Sequence, residues 1–126
     1  MATIRTVKDL KVWQKAMDLT VESYRVTSKF PESEKFGLVS QIRRASASVP
    51  ANIAEGFDRW NQKEFARFLT IASGSVRELE THLLVSGRLG CLPNKGLDPL
   101  LACIDEIARM LFVLKSKAQN AGRKSE

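Results

Sequence analysis

QIRRASASVPANIAEG, Gln41 to Gly56, is the stretch on which the fold turns. With Val39 just before it, Ile42, Ser46, Val49 and Ile53 recur at spacings of three and four, the period of a helix with one buried face. Pro50 falls inside that run. A proline in a helix interior removes an amide donor and crowds the preceding turn, at ~3 kcal/mol unless the surroundings compensate. Its neighbours are small: Ala45, Ser46, Ala47, Ser48 and Ala51. They relieve the crowding and let another helix approach closely. The expected element is a kinked helix from near Ser33, an N-cap residue type, to near Gly56. Asn52 and Glu55 stand where they could satisfy backbone groups freed by Pro50.

Three further helices frame this one, and no segment alternates as a strand would. The first spans about Asp9 to Lys29, with Leu10, Trp13, Met17, Thr20, Tyr24 and Thr27 as its core stripe. Val12, Leu19 and Val26 form a second apolar line on another face. Phe30-Pro31 ends the pattern, because the residue before proline disfavours helix. The third helix opens on Asn61 with Glu64 three residues on, a capping-box pair. It runs to Gly87 or Gly90 with an interleaved seam of Phe65, Leu69, Ala72, Val76, Leu79, Leu83 and Ser86. Gly74 inside it reads as a close-contact point. Leu89 to Leu97 is the one substantial loop. Asp98 then caps the fourth helix, with Pro99 at its first position. Its inner line is Leu101, Ile104, Ala108, Leu111 and Lys115, flanked by Ile107, Leu114 and Ala118. Gly122 ends it. Four helices with short connections imply an all-α, antiparallel up-down four-helix bundle. Residues 1–126 form one domain, with 1–8 and 122–126 as frayed tails.

The chain has 126 residues, 44% of them apolar, enough for a real core. Twenty basic residues against 14 acidic ones give a net charge of +6, a balance that favours polyanions such as RNA or DNA. Cys91 and Cys103 are too few for a disulfide framework and read as small core fillers. The N-terminus lacks a signal peptide's apolar core, and no apolar run approaches the ~20 residues of a membrane span. These features place the chain in the cytoplasm, away from membranes.

Catalytic and metal chemistry find little purchase here. His82 is the single histidine, so neither the paired Glu-x-x-His units of a di-iron bundle nor a zinc ligand set can be assembled. No nucleophile elbow or phosphate-binding glycine loop occurs. The expectation is a non-enzyme without cofactors, with His82 structural or at an interface.

Charge is organised on the third helix. At about 100° per residue, Lys63, Arg67, Arg77 and Arg88 fall within ~40° of one line, together with Thr70, Gly74 and Thr81. No carboxylate shares that line, which lies opposite the seam. Arg59 just before the helix extends it. Such a stripe suits phosphates. Arg43 and Arg44 are adjacent and point about 100° apart, so both cannot serve one flat contact. Each is either a contact to a partner or half of an internal ion pair, with Glu55, Glu78 or Glu80 as candidates.

The apolar surface exceeds what one core needs. The second line on the first helix, and Phe68, Ile71, Val85 and Leu89 beside the third helix's seam, either widen the core or form a subunit interface. Val12, Leu19, Val26, Phe68 and Ile71 are the candidate interface residues.

Certain segments resemble a known family. DLKVWQKAMDL (Asp9 to Leu19), FPESEKFGLVSQIRRASASVPANIAEG (Phe30 to Gly56) and KEFARFLTIASGSVRELETHLLV (Lys63 to Val85) are similar to the four-helix bundle proteins also called 23S rRNA intervening-sequence proteins. QIRRA, SVPANIAEG, FLTIASGS and ELETHL together are specific, and the resemblance extends to Leu92. It implies a four-helix bundle assembled as a cyclic homo-oligomer, a pentamer. Some relatives look to be encoded within intervening sequences of bacterial 23S rRNA genes. Others resemble accessory proteins of diversity-generating retroelements, which bind a reverse transcriptase and nucleic acid. No catalytic residue is implied. Two functions therefore stand: a basic oligomer that binds RNA or DNA through Lys63, Arg67, Arg77, Arg88, Arg59, Arg43 and Arg44, or a scaffold for a reverse transcriptase or ribosome-associated protein.

Overall fold

The computed structural model describes residues 3–59 and 61–125. Among these are four α-helices, α1 (Lys11–Thr27), α2 (Leu38–Phe57), α3 (Gln62–Arg88) and α4 (Asn94–Ser125), with short 3-10 turns at Val7–Asp9 and Glu32–Glu34. Each helix packs on its neighbours in sequence, most extensively α2 on α3, and α1 meets α4 to close the ring. One core lies between them. Leu19, Ile42, Ile53, Leu69, Leu79, Leu83, Ile104, Ile107 and Leu111 are its largest fully buried side chains. Each contributes roughly 1.5–3 kcal/mol by leaving water.

The α2 and α3 stripes bury as their spacing indicates: every residue of the two predicted seams lies inside. On α1 the expected stripe is only partly inside: Thr27 is buried and Leu10 and Trp13 pack against the core, while the second line supplies Val12 and Leu19. Val12, Ala16, Leu19, Ser23 and Thr27 are buried, whereas Met17 and Tyr24 are exposed. The true core line includes Ala16 and Ser23, both fully buried, and a count of large apolar residues passes over them. Their small size lets α1 settle close to its neighbours. The α4 inner line is likewise shifted, to Leu97, Leu100, Ile104, Ile107, Leu111 and Ala118.

Buried hydroxyls do not strain this core: Ser75 of α3 shares a hydrogen bond with Ser48 of α2 (2.8 Å), and others return their proton to their own helix. Ser23 donates to the Leu19 carbonyl (2.8 Å), Thr27 to Ser23 (2.7 Å) and Ser86 to His82 (2.8 Å). Among the described residues no buried side-chain polar atom lacks a partner.

Pro50 stays within a continuous α2. Its missing amide frees the carbonyl four residues back, that of Ser46. The Thr20 hydroxyl on α1 lies 2.9 Å from that oxygen and also 2.9 Å from the Ala16 carbonyl, so its single proton is shared between the two. Thr20 therefore does the work expected of Asn52 and Glu55. Asn52 instead donates to the Ser48 carbonyl (2.8 Å), and Glu55 pairs with Arg59 (3.2 Å).

Several boundaries move. Ser33 belongs to a 3-10 turn, and α2 begins after Gly37. The fourth helix starts a turn earlier than Asp98, since the Pro93 carbonyl already receives the Leu97 amide at 3.0 Å. Pro99 thus lies inside it, where the carbonyl it frees belongs to the exposed Lys95 and can take water. The helix also continues past Gly122 to Ser125. At the other end Thr6 and Asp9 form a capping box on Val7–Asp9, so this part of the expected tail is ordered. Residues 1, 2 and 126 of the expected tails lie outside the described residues.

At the close of α3 Gly90 takes φ +79. Its amide reaches the Gly87 carbonyl (3.1 Å), and the Cys91 amide reaches Ser86 (2.9 Å), a Schellman ending that L side chains disfavour. Glycine has a different use at Gly56, where an added Cβ would stand 2.5 Å from the Phe68 Cβ. Gly74, expected to mark a close contact, has nothing within 4 Å of that position. The intimate α2–α3 approach is at Gly56.

Candidate functional site

The α3 surface line begins at a fixed point. The Asn61 side chain accepts from the amides of Lys63 (2.8 Å) and Glu64 (3.3 Å), which sets where the helix starts and which way its faces turn. Glu64 does not reach back to complete a capping box; it turns to Arg67. From there Lys63, Arg67, Thr70, Gly74, Arg77, Thr81 and Arg88 are all exposed.

The line is less free of acid than its positions imply. Arg67 pairs with Glu64 at 3.0 Å, and Arg77 with Glu80 at 3.1 Å. Arg59 pairs with Glu55. Carboxylates off the line reach onto it because residues three and four apart are neighbours on a helix. The bond from Arg67 holds the Glu64 carboxyl below its ordinary value and raises Arg67 in return. Exposed pairs of this kind are weak and screened by salt, so they can open to a phosphate.

Phe68 gathers two of these cations. It is buried against Gly56, and the guanidinium carbons of Arg67 and Arg59 lie 4.6 and 5.2 Å from its ring centre. Arg59 and Arg67 are thereby drawn to one corner. Arg88 stands apart from them at the far end of α3, about 37 Å along the axis from Lys63.

Arg43 is held by the fold. Its Nε donates to the Thr27 hydroxyl (3.0 Å), Nη2 to the Tyr24 carbonyl (3.3 Å), and its guanidinium lies 4.7 Å from the Tyr24 ring centre. It ties α2 to the end of α1, and none of the three expected carboxylates is its partner. Arg44 is exposed and donates to Gln41 (3.1 Å).

The second wall of the site comes from α4. Lys63, Arg67 and Thr70 line a hollow of about 450 Å3 with Gln119, Gly122 and Arg123. Farther along, Arg77 lines another of about 590 Å3 with Asp105, Arg109 and Phe112. The sequence reading missed this contribution. Its signal is the heptad spacing of Asp105, Phe112 and Gln119, and of Arg109, Ser116 and Arg123, on the side of α4 away from its core line.

The interface assignment needs correction. Val12 (4% exposed), Leu19 (1%) and Phe68 (6%) are buried within this chain and cannot present themselves to another. Val26 is half-buried and Ile71 is exposed. Instead Met17, Val21 and Tyr24 make an exposed apolar line on α1.

Other chemistry is sparse. His82 Nε2 lies 3.6 Å from Glu78 Oε1, half-buried on α3. Cys91 and Cys103 are unbonded and half-buried; burial pushes the Cys103 thiol up. Among the described residues no three His, Cys, Asp or Glu side chains gather as a metal site, and no helix is long and apolar enough to cross a membrane.

Residues 8–113 match the profile that describes the 23S rRNA-intervening sequence proteins. The chain is also similar to a solved structure from Bacteroides thetaiotaomicron VPI-5482, a protein of unknown function from the S23 ribosomal protein family. The TM-score is 0.75 at 23% identity, over 82% of this chain and 97% of that one. At that identity the likeness speaks for the fold. No curated protein matches the chain.

Proposed function

The chain belongs to the 23S rRNA-intervening sequence protein family, and from that premise we propose that it is a non-enzymatic, homo-oligomeric protein that binds RNA or DNA through its basic α3–α4 face. The observation that carries this reading is the convergence of Lys63, Arg67 and Arg77 with Arg109 and Arg123 along two neighbouring helices. Asp105 and the paired Glu64 and Glu80 reduce that charge without reversing it. The start of α3 meets the end of α4, and the middle of each meets the other, which supports the antiparallel up-down arrangement. Arg43 is assigned to the fold and leaves the binding set.

The oligomer is a ring, a pentamer on the family resemblance. The exposed Met17, Val21 and Tyr24 line replaces Val12 and Leu19 as its contact on α1. Repetition of the basic face around the ring adds modest contacts by avidity. Light scattering at micromolar concentration should give five times the chain mass of 14.1 kDa; a monomer contradicts the ring.

Fluorescence anisotropy with labelled RNA and DNA tests the binding. Affinity should fall steeply with salt, because each neutralised phosphate releases counterions. Replacing Lys63, Arg67 and Arg77 together with alanine should flatten the log–log salt slope by about two to three units, at ~0.7–0.9 per contact. An unchanged slope in a protein of unchanged mass refutes the site.

A further inference from the structure

Phe112 is left in water among charges. The residue is 71% exposed on α4, beside Arg77 of α3 and Asp105 and Arg109 of its own helix, in a hollow that Ala108 and the exposed Val113 also line. A phenyl ring left in water gives up the free energy that burial would return, and a core position for it does not exist on this side of α4. Resting on the nucleic-acid reading above, we propose that the α3–α4 furrow takes a single strand, with Phe112 stacking on an unpaired base while the flanking arginines hold the phosphates.

The two hollows follow one another along the same pair of helices. The first ends at Thr70 and Gln119; the second begins two turns on, at Arg77 and Phe112. Gly74 lies between them on α3, exposed and with open space where a Cβ would be. No side chain there stands between the two hollows on the α3 side. From Lys63 to Arg77 it runs about 21 Å, on the order of the smallest single-strand sites, ~4 nucleotides.

The aromatic ring decides between strand types. A duplex hides the faces of its bases in its own stack and offers this surface phosphates alone. An unpaired base offers a π-face, and any base will do, so such a site is tolerant of sequence. Charge speaks against this face pairing with itself, which would bring Arg77 and Arg109 against like charges; a different face of a ring neighbour is the occupant that the mass measurement below tests.

The test compares a labelled oligonucleotide as single strand and as duplex, by anisotropy at one salt concentration, for the wild type, Phe112→Ala and Phe112→Tyr. The exposed position makes both variants compatible with folding. Phe112→Ala should weaken single-strand binding roughly tenfold or more, the loss of one stacked base, and leave duplex binding within about twofold. Phe112→Tyr should retain the wild-type affinity. Equal losses on both strand types, or no loss on either, overturn the stacking role while leaving the basic-face reading standing. A change of mass in Phe112→Ala by light scattering also overturns it, since Phe112 then sits between copies. Wild-type protein that binds neither strand defeats the basic-face reading itself, and this inference with it.

Discussion

Replacing Thr20 with valine tests how α2 tolerates its proline. The substitution keeps the shape of the side chain and removes the hydroxyl that lies 2.9 Å from the Ser46 carbonyl. That carbonyl has no amide to fall back on, because the residue four ahead is Pro50. An acceptor deprived of its partner away from water costs ~1–3 kcal/mol. The bond is only partly buried, so the lower half of that range applies, about 1–2 kcal/mol. The Thr20 hydroxyl is also 2.9 Å from the Ala16 carbonyl, but that oxygen keeps its helical amide in the variant. For a chain of this length the loss lowers Tm by roughly 4–8 °C. A double-mutant cycle isolates the cause. Pro50→Ala restores the amide that Ser46 lacks, so Thr20→Val in that background should cost less than about 0.5 kcal/mol. Pro50 is itself buried, and losing its ring alters stability separately; the cycle cancels that effect. Thermal and urea melts must share one protein concentration, since oligomerisation shifts apparent stability. Equal losses from Thr20→Val in the two backgrounds refute the role given to this hydroxyl.

Two glycines, one buried between α2 and α3 and one exposed on α3, offer a paired comparison. Gly74→Ala should stabilise by about 0.5–1 kcal/mol, because the position is helical, exposed and unobstructed. Gly56→Ala should destabilise by ~1–3 kcal/mol, as its methyl would press on Phe68 and Phe65; urea midpoints that move in the same direction contradict the assignment. At the N-terminus, amide bonds from Thr6 and Arg5 hold the Asp9 carboxyl below its ordinary value of 3.8. A folded-state value lowered in this way gives stability that is present above 3.8 and lost as pH falls through the folded value. NMR should show Asp9 titrating below 3.8, with the Arg5 and Thr6 amide shifts following it; a midpoint at or above 3.8 is the opposing result.

What could be read in the sequence depended on side-chain size. On α3 the core line carries mostly large apolar residues, and their spacing alone located Leu69, Val76, Leu79 and Leu83. On α1 the core line passes through Ala16 and Ser23, which periodicity in large residues does not register. That periodicity puts Met17 and Tyr24 inside with Thr27, and Val12 and Leu19 at an interface; in the structure Val12, Leu19 and Thr27 are buried and Met17 and Tyr24 are exposed. Small residues contribute little to a hydropathy pattern but govern how closely helices approach. The same blindness hid Gly56, whose close contact with Phe68 depends on a partner from another helix.

The basic site shows a second limit. A helical wheel sorts one helix at a time, and on that basis the α3 line was free of carboxylates. Side chains extend beyond their own line, so Glu64 and Glu80 reach Arg67 and Arg77 from its edges. Those pairs reduce the charge of the line, but Lys63 and Arg88 keep it positive. Arg109 and Arg123, offset in part by Asp105, add to it only when α4 is laid alongside, since they belong to a different wheel. Pairing of helices therefore widens this positive surface. It also explains why Phe112 has no evident place in the sequence: on α4 alone it is an exposed apolar residue, and beside Arg77 it becomes an aromatic surface in a cationic furrow. The proposed single strand matches both features at once, being anionic along its length and offering the π-faces of its unpaired bases.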